Sequence, residues 1–282
     1  KMLLEKPMEI YLKDKNCDLP FCFCWANETW TNAWAAETES DRKTLIKQEY
    51  GDKEEWERHF QYLLPFFKDE RYIKEGNKPL FVIYRPQYIT ELSARLAYYN
   101  KRAQEEGFDG LVFAAQHVSF YAEKSVDKSM FKYQIEYDMS SWMQKQMSVI
   151  KQNVQTWARD HLKSFKSAKK ANLQKLSYDE VWNTVLNRKA EPGMIPGAFV
   201  DWDNTPRYKE KGRVLTGATP EKFKEYFGKQ LKRARDEYKS DYIFIFAWNE
   251  WSEGGYLEPD MKKQYGYLDA IKSCVDELES EN

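Results

Sequence analysis

DYIFIFAWNEWSEGGYLEPD, residues 241–260, decides the fold. Residues 242–247 are six apolar or aromatic side chains with no charge. That run is too short for an interior helix and rich in strand formers, which predicts a strand buried on both faces. Directly after it stand Trp248, Asn249, Glu250, Trp251, Ser252 and Glu253, then Gly254 and Gly255. In parallel α/β proteins ligands sit at the C-terminal ends of strands. Two carboxylates between indoles at such an end have the composition of a sugar site. Carboxylates move protons to and from a glycosidic oxygen, and indole faces stack on a pyranose ring.

Working outward, the pattern has an echo near the start of the chain. Residues 19–25 read as a buried strand that ends in WANETW at 25–30, close in form to WNEW at 248–251. Two such clusters at equivalent places predict a shared pocket at one rim. Residues 80–84 form another buried run, ending at Arg85-Pro86-Gln87, and residues 111–115 another, ending at Gln116-His117. Residues 197–202 run into Asp201-Trp202-Asp203-Asn204-Thr205-Pro206-Arg207. Polar and aromatic residues thus follow each strand.

Helices fill the intervals. Residues 5–15 predict a short helix with Pro7 near its start, where a missing N–H does no harm. Asp52 with Glu55, and Ser177 with Glu180, are capping-box pairs. Trp56, Phe60, Leu63 and Phe67 fall on one helical face and predict core rather than ligand contact. Thr90 opens a helix with Leu92, Leu96, Tyr99 and Ala103 inward, and Thr219-Pro220 opens one with Phe223, Phe227, Leu231, Ala234 and Tyr238 inward. A last helix carries Leu268, Ile271, Val275 and Leu278 at helical spacing. Between residues 118 and 177 the alternation blurs into an atypical helical insertion, with a weak strand at 133–139 and an amphipathic helix through Met147, Ile150, Val154 and Trp157. The basic outer face of that helix reads as solvated surface.

Strand-helix alternation means a parallel sheet covered by helices. A single (β/α)8 TIM-type barrel over residues 1–282 fits the chemistry at the strand ends and the length of 282 residues. Because the chain opens on a helix, the first two strands of that barrel are expected to lie outside it, along with any further domains of a longer protein.

Bulk composition removes several function classes. The 44 basic and 45 acidic residues nearly cancel, which gives no electrostatic case for nucleic acid or an anionic membrane. No apolar run approaches the ~20 residues of a transmembrane helix. Cys22 and Cys24, two apart on a strand, face the same way, which is poor disulfide geometry, and Cys17 and Cys274 complete the four cysteines. Buried free thiols in a reducing, cytoplasmic compartment are the simpler reading. Three scattered histidines (His59, His117, His161) give no zinc spacing, so neither metal nor cofactor is expected. With 10 Trp, some should line a groove.

Together the strings WANETW, KPLFVIYRP, PGAFVDWDNTPR and FAWNEWSEGGYLEPD resemble the WbsX-like polysaccharide biosynthesis proteins, which carry a glycoside hydrolase family 99-like domain. The resemblance covers most of residues 1–116 and 177–275. It is narrower to the family 99 endo-α-mannosidases, resting on Trp248-Asn249-Glu250-Trp251, Glu253-Gly254 and Glu258-Pro259. It implies a (β/α)8 barrel that retains configuration through a 1,2-anhydro sugar. Glu250 would then deprotonate the substrate 2-OH, and Glu253 would protonate the leaving oxygen and later activate water.

Glu28 is a candidate third carboxylate and Glu258 a fourth. Asn27, Arg85, Gln116, Asp203, Asn204, Arg207 and Asn249 offer hydrogen bonds to sugar hydroxyls, and Trp25, Trp30, Trp202, Trp248 and Trp251 offer stacking faces. For each the alternative is structural: Arg207 bridging a carboxylate, or Trp202 filling the interior. Three activities stay open. They are a hydrolase or transglycosidase on an O-antigen or capsule polysaccharide, a nucleotide-sugar glycosyltransferase of lipopolysaccharide biosynthesis using Asp201-Trp202-Asp203, and a glycan-binding barrel without catalysis. No Gly-rich phosphate loop follows any strand, which weighs against the transferase.

Overall fold

The computed structural model describes residues 3–32, 41, 43–116, 126–136 and 173–281. The expected helix through Met147 and Trp157, with His117 and His161, lies outside the described residues. The chain forms two compact units, one of Lys1–Trp30, Thr44–Gln116 and Lys124–Gln134, the other of Thr31–Lys43, His117–Glu123 and Ile135–Asn282.

In the first unit α1 (Lys6–Lys13) precedes β1 (Phe23–Trp25), followed by α2 (Lys53–Lys68), the short β2 (Lys74–Glu75), β3 (Lys78–Ile83), α3 (Leu92–Glu105) and β4 (Val112–Gln116). The ladders β1–β3 and β3–β4 are parallel, with Trp25 opposite Ile83 and Ile83 opposite Ala115; β2 joins β3 antiparallel. Parallel neighbours need a crossover, and α2 and α3 supply it. The Asp52 carboxylate accepts from the Glu54 and Glu55 N–H groups at 3.1 and 3.3 Å, starting α2 where expected. Trp56, Phe60, Leu63 and Phe67 are all buried, against Phe81 and Ile83 of β3 and Leu96, Tyr99 and Ala103 of α3. Full burial of each such ring contributes about 1.5–3 kcal/mol. Thr90 does not cap α3; Glu91 holds that place in a left-handed conformation without a side-chain cap.

β5 (Tyr133–Glu136) is the strand expected weakly at 133–139. The second unit then holds β6 (Gln174–Ser177), α4 (Tyr178–Leu186), β7 (Met194–Phe199), β8 (Arg213–Thr216), α5 (Pro220–Arg233), β9 (Phe244–Phe246), β10 (Asn249–Glu250), β11 (Gly255–Tyr256) and α6 (Gly266–Ser280). β7 and β9 are parallel, Phe199 opposite Phe246, as are β6 and β8. Ser177 and Thr219 cap α4 and α5 through the N–H groups of Glu180 and Lys222. Trp182 stacks between Phe199 at 4.6 Å and Tyr226 at 5.6 Å, and Phe223 and Phe227 close the core.

Four expectations are corrected. β9 is three residues long and each is only half-buried, because among the described ladders it pairs with β7 alone. β1 likewise has no fully buried residue. The inward face of α6 is centred on Tyr267, Ala270 and Cys274, with Ile271 of the expected stripe packed beside them, because aromatic and small residues fit against Phe223 and Gly228. All four cysteines are free, but Cys274 alone is buried and Cys24 is exposed. What is shown is an α/β fold of parallel strands crossed over by helices. No helix among the described residues is long and apolar enough to cross a membrane.

Candidate active site

The second unit builds the acidic centre from a tight hairpin. β10 and β11 pair antiparallel, Asn249 opposite Tyr256 and Glu250 opposite Gly255, around a single 3-10 turn at Trp251–Glu253. That turn cancels the divergence that two side chains three residues apart have on a straight strand. Gly254 closes it at φ +64°, and a Cβ there would stand 2.9 Å from the Asp203 backbone nitrogen. The close approach has a purpose, since the Asp203 N–H donates to the Glu253 carbonyl at 2.7 Å.

Asp203 in turn sets Arg207. Its carboxylate accepts from the Thr205 N–H at 2.9 Å and the Thr205 hydroxyl at 2.6 Å, nucleating the helical turn Thr205–Tyr208. Asn204 accepts from the Arg213 N–H at 2.7 Å. Arg207 then forks: Nη1 donates to Glu253 Oε1 at 3.0 Å, while Nη2 donates to Glu250 Oε1 at 3.2 Å and to the Ser252 hydroxyl. Ser252 Oγ itself donates to Glu250 Oε1. One planar guanidinium thus holds both carboxylates in register.

The two acids are not equivalent. The Glu253 side chain is 19% exposed and the Glu250 side chain 36%. Burial raises the Glu253 carboxyl above the ordinary glutamate value, Arg207 opposes this, and Glu250 adds to it. Glu253 therefore holds its proton to higher pH than an ordinary glutamate. Glu250 is the more exposed of the two and accepts from both Arg207 and Ser252.

The surrounding indoles divide. Trp248 and Trp251 are exposed beside the hairpin. Trp251 stacks one face on Tyr256 at 3.7 Å, leaves the other open, and donates its indole N–H to Glu258. Asn249 is exposed on β10. Trp202 is a correction: it is 5% exposed and tilted against Phe246 at 5.4 Å, so its faces are spent on the core. Asp203 and Asn204 are likewise committed to the backbone of their own loop.

The first unit collects the other predicted residues. Asn27 is fully buried, its amide exchanging bonds of 2.8 Å with both the N–H and the carbonyl of Arg85. That bolt fixes one strand end to the next and leaves nothing for a ligand, which corrects its assignment to substrate. Arg85 Nε donates to Glu28 at 3.1 Å, and its guanidinium lies over Tyr84 at 4.6 Å. Trp25 has one face against the buried Arg95 guanidinium at 4.6 Å, and neutral His59, lowered by burial to about 3, lies 4.7 Å away. Trp30 is exposed, and Gln116 accepts from the Cys24 thiol at 3.6 Å. Residues 25–30 belong to the first unit and residues 248–253, expected to converge with them, to the second.

The sequence places a turn at Ser252, and the structure has it, but the bonds of the Ser252 hydroxyl to Arg207 and Glu250, and the role of Tyr256, were missed. Tyr256 had no signal, because its stacking on Trp251 depends on hairpin register. The Asp201-Trp202-Asp203 string is engaged elsewhere: Asp201 accepts from Lys263 Nζ at 3.1 Å and from the Trp202 N–H at 2.8 Å. Among the described residues no three His, Cys, Asp or Glu side chains gather as metal ligands.

Two relatives, both called WxcX and from two strains of Xanthomonas campestris pv. campestris, are each 27% identical over 278 residues. The match takes in 98% of this chain and 37% of theirs, so the chain spans little over a third of their length. Among solved structures, a GH99 endo-alpha-mannosidase from Bacteroides thetaiotaomicron aligns with a TM-score of 0.43 at 17% identity, over 79% of this chain and 62% of that one. A glycoside hydrolase-like protein aligns with a TM-score of 0.50 at 10% identity over the same shares, a likeness of fold alone. The family model described as glycosyltransferase WbsX matches residues 1–271, and the chain belongs to that family.

Proposed function

We propose that this chain is a carbohydrate-active enzyme that cleaves or transfers a glycosidic bond in a bacterial surface polysaccharide, an O-antigen or capsule or its precursor. The observation that carries the reading is the Arg207 fork, which holds a half-buried Glu253, its proton affinity raised by burial, beside the more exposed Glu250. Environments that push two neighbouring carboxyls apart in proton affinity assign one as acid and one as base. Glu250 takes the proton of the substrate 2-OH, and O2 attacks the anomeric carbon as Glu253 protonates the departing glycosidic oxygen. Glu253, now a carboxylate, deprotonates a water or an acceptor hydroxyl, which opens the 1,2-anhydro ring while Glu250 returns its proton to O2. Two inversions at one carbon give net retention.

The architecture that goes with this reading is a single (β/α)8-type catalytic domain with its insertion at about residues 118–177, acting in the cytoplasm. Trp248, Asn249, Trp251 and Glu258 are the proposed sugar contacts of the unit that holds the acid pair; Glu28, Trp30, Arg85 and Gln116 are candidate contacts of the first unit, taken by itself. Release of reducing ends from the organism's own polysaccharide is expected from the unaltered chain. Glu250→Gln and Glu253→Gln should each lower it by at least 100-fold, the general acid-base range of about 10²–10⁴. Full turnover in either variant sinks the assignment.

The family's glycosyltransferase description favours a second reading, transfer from a nucleotide sugar. Titration with UDP and GDP in the presence of Mn²⁺ separates them. Tight nucleotide binding that depends on Mn²⁺ supports transfer; none supports the acid-base pair working on a preformed glycan.

A further inference from the structure

Beyond the acid pair the same hairpin opens onto a depression of whose lining the catalytic reading uses Trp251 alone. Its volume is about 480 Å³, and it is lined by Trp251, Pro259, Asp260, Met261, Gln264 and Tyr265. That size lies within the ~300–1,000 Å³ of small-ligand sites. We propose that it is a binding subsite for a neutral pyranose, sharing Trp251 with the hairpin that carries Glu250 and Glu253. The assignment of a glycan to this place rests on the catalytic reading; its chemistry is argued from its own walls.

Those walls are held from behind. The Asp260 carboxylate accepts from the Tyr256 hydroxyl at 2.7 Å and from the backbone N–H groups of Lys262 and Lys263. The Gln264 N–H donates to the Asp260 carbonyl at 2.9 Å, closing the loop with Gln264 at φ +49°. Glu258 receives the Trp251 indole N–H, so the ring cannot turn freely. Tyr256 covers one face of Trp251 at an interplanar angle of 17°, and Trp251, still exposed, is part of the depression's lining.

What remains exposed is Trp251, Met261 and Tyr265, with the Gln264 side chain between them. Aromatic faces of this kind suit the apolar C–H face of a hexose, and a phenol and an amide suit its hydroxyls. Asp260 belongs to the lining and Glu258 holds the Trp251 N–H beside it, while Lys263, next to Asp260, is already paired with Asp201. An acidic sugar would meet the Glu258 and Asp260 carboxylates, so the site selects a neutral ring over a uronic acid.

Saturation-transfer NMR on the full chain carrying Glu253→Gln, with methyl hexopyranosides of gluco, galacto and manno configuration and methyl glucuronide as the acidic probe, tests this. Saturation of at least one neutral glycoside is expected, at least tenfold above that of the glucuronide. Tyr265→Ala should weaken it tenfold or more. Met261→Glu, at a fully exposed side chain, should do the same without touching the core. Equal binding of the glucuronide, no saturation by any hexoside, or binding that both variants leave unchanged overturns the subsite. Binding that needs Tyr265 in a chain whose turnover survives Glu253→Gln supports the subsite and sinks the catalytic assignment alone.

Discussion

Glu253 carries a cost of burial that Arg207 only partly offsets, and this sets a pH signature. Its folded proton affinity is raised above the unfolded value. The proton-bound form therefore contributes stability that is full at pH below the ordinary glutamate range and is lost as pH rises through the raised value. Glu253→Gln removes the titration while keeping an acceptor for Arg207 Nη1. The variant should melt on the order of 1–3 °C higher than the unaltered chain at pH 7, the difference vanishing near about pH 4. A lower melting temperature at pH 7 would show that the Arg207 attraction outweighs burial. Asn27→Ala makes the opposite kind of test. Its amide is buried and doubly bonded, so truncation should cost about 2–4 kcal/mol in urea unfolding, the penalty for orphaned backbone groups. The sequence displayed Glu250, Glu253 and Arg207 as polar residues past a strand. It could not tell Trp202 from Trp251, or Asn27 from Asn249, because burial of an indole or amide depends on residues far along the chain.

The hairpin Asn249–Tyr256 exists because two glycines allow it. Gly255 would place a Cβ 2.4 Å from the Phe246 ring, and Gly254 combines a left-handed φ with the Asp203 backbone. Gly254→Ala should destabilise by about 1–3 kcal/mol and lower activity in proportion, since the same movement parts Glu253 from Arg207. Loss of melting temperature with unchanged activity would uncouple the turn from the site. At this scale the helices were the more legible elements. α2 and α5 each join a capping side chain to an apolar stripe, two local signals that agree. α6 has a stripe without a cap, and its buried face turned toward Tyr267, Ala270 and Cys274. β9 was overdrawn for a related reason: an apolar run records what a strand can bury, while pairing on one side decides what it does bury.

Each unit has its own core, one around Phe60, Phe67 and Tyr99, the other around Trp182, Phe199 and Phe227. Phe60→Ala and Phe227→Ala should each cost about 3–5 kcal/mol. Hydrogen exchange should show the lost protection concentrated in residues 53–116 for the first and 178–280 for the second. Equal loss everywhere in both would mean a single cooperative body. The alternation of strands and crossover helices was legible because each parallel neighbour needs a helix-length return. The positions where that alternation blurs, from residue 118 onward, are also those where side-chain periodicity gave the least purchase.

The stacked rings of Trp251 and Tyr256 have an optical consequence. At 3.7 Å and 17° their electronic transitions couple, and such a pair carries a near-ultraviolet dichroic band of its own. A sugar arriving on the open indole face changes the polarity around one chromophore of the pair. Occupancy can then be followed without a label, as the difference between the spectrum of the chain and that of its Tyr256→Leu variant.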